Sequence, residues 1–180
     1  MVDYSITKIN ISNQNLTKLP DDIGKYTNLQ ILDCRYNNLT SLDNLPLSLQ
    51  ELNCDCNYIS NLDNLPPNLQ ILYCYSNKLT SLDNLPPNLQ KLECYNNQLT
   101  SLDNLPPNLQ KLICYNNQLT SLDNLPHNLQ ELYCSCNKLT SLDYLPPNLI
   151  KLVCYNNPLT YDFEPTLDNI RKYNTSRKTI

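Results

Sequence analysis

From Leu29 onward the apolar residues recur in a pattern twenty residues long, written LQxLxCxxNxLTSLDNLPPN, with copies starting at Leu29, Leu49, Leu69, Leu89, Leu109, Leu129 and Leu149. Residues 94–105 and 114–125 are identical, both reading CYNNQLTSLDNL. A looser copy, ITKINISNQNLTKLPDDIGKYTN, begins at Ile6, is three residues longer, and carries Ile9, Ile11 and Leu16 in the matching apolar places. Within each copy, residues such as Leu92 and Cys94 alternate with Lys91, Glu93 and Tyr95, the period-2 signature of a short strand with one buried face. Prolines follow at Pro46, Pro66–Pro67, Pro86–Pro87, Pro106–Pro107, Pro126 and Pro146–Pro147. Proline has no N–H to give to a ladder, so this half of each unit is expected to be an extended, polyproline-like return.

A strand, a turn and a return cannot bury an apolar face alone, whereas a stack of such units shares one core. Strands about 4.8 Å apart would make eight units into a parallel sheet roughly 35–40 Å wide, lining a concave side. The pattern divides the chain into a solenoid over 1–163, with a divergent first repeat at 6–28 and regular repeats at 29–163, and a C-terminal cap and tail at 164–180. In the cap, Thr166 is a candidate N-cap and Leu167, Ile170 and Tyr173 fall on one helical stripe. The final stretch, Ser176 to Ile180, is expected to be disordered, and the segment Met1–Ile11 to close the opposite end.

The core LxxLxCxxNxL, as in Leu89 to Leu99, resembles the leucine-rich repeat, and the LPPNL segment resembles the short repeats of bacterial effector proteins and the Asn-rich repeat proteins of amoeba-infecting giant viruses. The resemblance runs from Ile6 to Phe163. It implies an α/β-type solenoid, a horseshoe or arc with a parallel β-sheet on the concave side, an extended, polyproline-like or 3-10 convex side, and little or no α-helix beyond the cap. It also implies a protein-binding function. Some of the effectors that the repeats resemble carry a ubiquitin-ligase domain after them, and fewer than twenty residues follow Phe163 here.

Several rows run through the stack. Asn37, Asn57, Asn77, Asn97, Asn117, Asn137 and Asn157 recur just after the strand, where a buried turn leaves backbone groups in need of partners that an amide can both donate to and accept from. They read as a structural asparagine ladder. Cys34, Cys54, Cys74, Cys94, Cys114, Cys134 and Cys154 occupy an inward position and read as reduced core thiols, because in-register side chains point alike and do not present disulfide geometry. Cys56 and Cys136 make two CxC pairs four units apart, about 19 Å, too far to share a zinc ion. Asp43, Asp63, Asp83, Asp103, Asp123 and Asp143 form a carboxylate row in the LDNL corner. They are expected to accept backbone N–H groups in Asx turns, the alternative being cations bound along the row.

Composition narrows the function. With 180 residues and 41% hydrophobic content there is enough for one domain and a core, but a single glycine leaves nothing for phosphate-cradling loops. The 13 Lys and Arg against 17 Asp and Glu, a net charge of −4, argue against nucleic-acid binding. No apolar run is long enough for a membrane span and no secretory signal is evident, which points to a reducing, cytoplasmic setting, the host cytoplasm if the chain is viral. No cofactor or metal is expected. His127, the one histidine, replaces a proline on a return segment, so no catalytic triad can be built from it and the chain is read as no enzyme.

Differences between copies concentrate on the outward strand positions. The first row reads Lys8, Ile31, Glu51, Ile71, Lys91, Lys111, Glu131, Lys151, and the second Asn10, Asp33, Asn53, Tyr73, Glu93, Ile113, Tyr133, Val153. The third reads Ser12, Arg35, Asp55, Tyr75, Tyr95, Tyr115, Ser135, Tyr155. Tyrosine offers large contact area at low entropic cost. Tyr73, Tyr75, Lys91, Tyr95, Lys111, Ile113, Tyr115, Tyr133 and Tyr155 are therefore the candidate contact residues for a protein or peptide partner of a monomeric module. The alternatives are a carbohydrate-binding module, with tyrosine faces stacked on sugar rings, and a structural repeat protein without a specific ligand.

Overall fold

The computed structural model describes residues 3–177. Each repeat contributes one three-residue strand: β1 Lys8–Asn10, β2 Ile31–Asp33, β3 Glu51–Asn53, β4 Ile71–Tyr73, β5 Lys91–Glu93, β6 Lys111–Ile113, β7 Glu131–Tyr133 and β8 Lys151–Val153. They pair in chain order as one parallel sheet. The register is unbroken, Lys8 opposite Ile31, Ile31 opposite Glu51, and so on to Glu131 opposite Lys151, so each sequence row is a row in space. Pairing continues past the strands, with Cys94 N–H donating to Ile113 O at 2.8 Å and Asn96 N–H to Tyr115 O at 3.1 Å.

One continuous core follows from the register. Leu32, Leu52, Leu72, Leu92, Leu112 and Leu132 are fully buried along the strands, and Leu39, Ile59, Leu79, Leu99, Leu119 and Leu139 behind them. Each such burial contributes about 2 kcal/mol, and the repeat multiplies it. The cysteine row lies in this interior from Cys34 to Cys154, and all nine cysteines are free thiols. Burial, the first cause, pushes Cys34 and Cys94 up to about 12 and holds Cys54, Cys74, Cys114 and Cys134 well above the ordinary thiol value. Cysteine serves here as a small apolar filler rather than a nucleophile.

Asparagine amides tie the coils together. Asn97 Nδ2 donates to Cys94 O and Tyr95 O of its own unit and to Cys74 O of the preceding one, while its Oδ1 accepts Leu79 N–H at 3.0 Å. Asn57, Asn77, Asn117 and Asn137 repeat the arrangement. A second asparagine row runs along the convex side: Asn88, Asn108 and Asn128 donate to Pro67 O, Pro87 O and Pro107 O. Asn148 does the same to His127 O at 3.0 Å, and Asn68 to Leu47 O. Only the carbonyl of that position is used, which explains why histidine and leucine stand where other units have proline.

The corner differs from the sequence expectation. Asp63, Asp83, Asp103 and Asp123 are exposed and accept no backbone N–H, and Asp43 takes only the Ser41 hydroxyl at 2.5 Å. The bend is made instead by the following residue, since Asn44, Asn64, Asn84, Asn104 and Asn124 all adopt φ of 60–62°, the left-handed region that asparagine tolerates better than other non-glycine residues. No Asx turn is needed once the backbone itself turns left-handed. A second left-handed position follows each strand, at Asn13, Tyr36, Cys56, Ser76, Asn96, Asn116, Cys136 and Asn156.

The ends depart from the repeat. In the first unit a 3-10 turn, Ile23–Lys25, replaces the proline return and buries Ile23. The single glycine, Gly24, lies there because a Cβ would come within 2.9 Å of Asn44 O. At the other end helix α1 spans Leu167–Arg177, with Asn169 N–H donating to Thr166 Oγ1 at 3.3 Å. Ile170 is fully buried against the last unit, and Arg171 Nη2 donates to Pro147 O and Leu149 O at 3.0 and 2.7 Å. Ser176 and Arg177, expected to be disordered, belong to this helix. The helix outlasts the apolar stripe because polar groups extend its attachment: Asn174 Nδ2 donates to Leu142 O and Asp143 O. Lys178 to Ile180 lie outside the described residues, as do Met1 and Val2. No helix among the described residues is long and apolar enough to cross a membrane.

Candidate functional site: the concave tyrosine face

Strand alternation sends Leu92 inward and Lys91 and Glu93 outward, and the same holds for every unit. The concave surface is therefore assembled from the three rows that vary between copies. In the third row the rings of Tyr75 and Tyr95 stack with centroids 4.3 Å apart and planes 10° apart, and those of Tyr95 and Tyr115 at 4.3 Å and 15°. The register forces this: identical side chains on adjacent strands meet face to face. Burial raises the phenols of Tyr75, up to about 12, and of Tyr95 and Tyr115, so all three stay protonated and present O–H groups along the row.

Beside the stack, Lys91 Nζ lies 2.8 Å from Glu93 Oε1, donates to the Tyr73 hydroxyl at 3.2 Å, and sits 4.5 Å from the Tyr73 ring centre. Lys111 Nζ pairs with Glu131 Oε2 at 2.8 Å, and Glu131 also accepts the Tyr133 hydroxyl at 3.1 Å. Lys111 and Lys151 approach the Tyr133 ring at 5.5 and 5.1 Å. Of the residues singled out from sequence, Tyr75, Tyr95 and Tyr115 form one body, and Tyr73, Lys91, Lys111 and Tyr133 form an ordered charged and aromatic border with Ile113 between its members. Tyr155 stands apart at the end of the third row, 62% exposed, separated from the stack by Ser135.

Two buried residues on this face were not singled out. Asp55, at the opposite end of the stack, is 1% exposed, and its Oδ1 accepts Tyr75 N–H at 2.9 Å. Burial first, with the Glu93 carboxylate adding to it, lifts its carboxyl to about 8. Ser135 is 2% exposed, and its hydroxyl has no hydrogen-bond partner. The available signal was that Asp and Ser replace a tyrosine in the two CxC units.

Nothing on this face assembles a nucleophile, a base and an acid. His127 lies elsewhere, on a convex cleft of about 710 Å3 bounded by Asp123, Tyr144 and helix α1. Among the described residues no group of three or more His, Cys, Asp or Glu side chains could hold a metal ion.

The comparisons agree with this architecture. The family model described as Leucine Rich repeats (2 copies) matches residues 67–107 and 107–147. Among solved structures, the chain is similar to YopM, a leucine-rich effector protein from Yersinia pestis, at 35% identity and a TM-score of 0.80, covering 90% of this chain and 46% of that one. It is similar to the functional domain of InlJ from Listeria monocytogenes, which includes a cysteine ladder, at 35% identity and 0.78, covering 95% and 39%. It is also similar to the repeat domain of a Shigella effector, at 26% identity and 0.74, covering 97% and 77%. The chain thus spans less than half the length of the YopM and InlJ chains. No curated protein sequence matches it.

Proposed function

We propose that this chain, a leucine-rich repeat protein, holds a protein or peptide partner against its concave face, with the Tyr75–Tyr95–Tyr115 stack at the centre of the contact. Leucine-rich repeats generally serve as non-catalytic interaction scaffolds, and the family match and the effector-type neighbours support that coarser reading. The observation that carries the finer reading is the 4.3 Å stacking of three tyrosines in an otherwise near-invariant scaffold. The rings arrive at the surface already ordered, so a partner immobilises few additional rotors on binding.

Stacking also separates this reading from carbohydrate binding. A sugar packs on the flat face of an aromatic ring, yet Tyr95 is covered on both faces and Tyr75 and Tyr115 on one each, which favours contact through edges and hydroxyls. A row of edges and O–H donors bordered by paired Lys and Glu suits a polypeptide, which brings carbonyl acceptors and side chains of both signs. The border supports specificity, since Lys91 and Lys111 are held by carboxylates in fixed positions.

The test is to capture a partner from lysate on the immobilised chain, then titrate the purified partner into wild type and the Tyr95→Ala/Tyr115→Ala variant. A loss of about 2 kcal/mol or more with an unchanged circular dichroism spectrum supports the reading. Equal affinity for both chains refutes it.

A further inference from the structure

Just before each regular strand a buried leucine is set between two outward polar residues, as Leu49 is between Ser48 and Gln50 and Leu69 between Asn68 and Gln70. The ladder fixes their spacing: Gln50 N–H donates to Gln30 O at 2.9 Å and Gln70 N–H to Gln50 O at 2.8 Å. Two parallel polar rows result. From Ser5 to Asn88 they line a groove of about 460 Å3, on the flank of the sheet where the strands begin. Four strand spacings give it a length of about 19 Å.

The lining has a single chemical character. Every side chain in it is an amide or a hydroxyl, with no charged and no apolar group among them. The side-chain amides of Gln30, Gln50 and Gln70 have no hydrogen-bond partner among the described residues. Asn68 and Asn88 each commit Nδ2, to Leu47 O and Pro67 O, and accept nothing at Oδ1. Ser48 interrupts the asparagine row: the flanking copies have Asn28 and Asn68 there, whereas its shorter side chain gives its hydroxyl to Leu29 O at 2.7 Å. That shortening falls in the middle of the groove.

We infer that this groove binds a neutral oligosaccharide, laid across the strands with its hydroxyls on the Gln30, Gln50 and Gln70 amides. A sugar hydroxyl both donates and accepts, and so does a primary amide, so the two surfaces pair without leaving a group unmatched. The amides recur once per strand, as the hydroxyls of an oligosaccharide recur once per ring. Other ligand classes find less here. A nucleic acid meets no cation, and a protein anchor such as tyrosine or arginine meets no dry pocket. The volume is within the range of small-molecule sites. No aromatic face takes part, so binding is weak and its selectivity rests on hydrogen bonds. The groove precedes the strands while the Tyr75–Tyr95–Tyr115 row follows them, so the inference does not rest on the proposed function.

The test titrates three neutral trisaccharides, cellotriose, maltotriose and triacetylchitotriose, into the whole isotope-labelled chain and follows side-chain amide resonances by NMR. At least one sugar is expected to shift those of Gln30, Gln50 and Gln70 saturably. Gln50→Ala/Gln70→Ala, at exposed positions, should weaken that sugar about tenfold, and Ser48→Asn, which restores the longer side chain, a few-fold. Tyr95→Ala/Tyr115→Ala should bind it as wild type does. No saturable shift with any of the three, an equal response in Gln50→Ala/Gln70→Ala, or a response only to a sulfated heparin trisaccharide overturns the inference and leaves the proposed function standing. Shifts confined to the tyrosine row, lost in Tyr95→Ala/Tyr115→Ala, overturn it and place the sugar on the concave face, against the proposed function as well.

Discussion

Asn97 is bonded to Cys74 across the boundary between two coils: its Nδ2 reaches back 3.1 Å to the Cys74 carbonyl while donating also to Cys94 O and Tyr95 O. With Leu79 N–H on its Oδ1, one side chain serves four backbone groups of two units. Truncating Asn97 to alanine leaves that half-buried set unsatisfied. A loss of about 3 kcal/mol is expected, read as a lower urea midpoint. Asn157→Ala, in the last unit and more exposed, should cost less.

The cysteine row predicts alkaline instability. Folded thiols are raised from 9.0 to about 12 at Cys34 and Cys94, so the unfolded chain releases its protons first. The corresponding stability is fully present below about pH 9 and is lost as pH rises from there through 12, by about 1.4 kcal/mol per pH unit for each thiol. Melting temperature should fall steeply above pH 9. At pH 8 a thiol reagent should titrate rapidly no more than the half-buried Cys56 and Cys136, and all nine thiols in denaturant.

Left-handed backbone at Ser76 has a φ of 52°, where Asn96 and Asn116 occupy the equivalent places in later units. Asn116 Nδ2 already donates to Asn96 Oδ1 at 2.8 Å, and Asn96 Nδ2 lies 3.4 Å from Ser76 Oγ. Ser76→Asn should therefore relieve backbone strain and extend that surface row. About 1 kcal/mol of added stability is expected, seen as a melting temperature higher by a few degrees. A lower melting temperature would show that the turn prefers serine.

Helix α1 closes the end of the core chiefly through Ile170 and Arg171. Ile170→Ala should destabilise by about 3 kcal/mol. Hydrogen exchange should accelerate first over 149–157, the unit it covers, and leave the central coils protected. Uniform acceleration along the chain would mean that the solenoid unfolds as one unit.

Much of this was legible because an exact repeat converts sequence position into spatial position. Leu92 and Cys94 alternating with Lys91 and Glu93 gave the strand, its buried face and the concave rows directly. Cooperative detail was not legible. The Asp43 to Asp143 row fits Asx turns by residue type, but from Asp43 to Asp123 the bend resides in the left-handed asparagine that follows, and side-chain type alone does not distinguish the two. The convex asparagines, Asn88 and its equivalents, were as regular as Asn97 but attracted no reading, because the carbonyls they bond belong to prolines assigned only an extended role. Ring planes are absent from any pattern: Tyr75, Tyr95 and Tyr115 are visible as a stripe, while their mutual stacking, which covers both faces of Tyr95, requires coordinates. Asp55 and Ser135 looked like ordinary variation until their burial distinguished them.

The central claim concerns which surface meets the partner, and hydroxyl-radical footprinting of the chain alone and in complex with a captured protein tests it most directly. Tyr75, Tyr95 and Tyr115 should be protected in the complex while Tyr58 and Tyr144, exposed away from that stack, remain as reactive as before. Protection confined to Tyr144 and the convex prolines, with the three stacked rings unchanged, would contradict it.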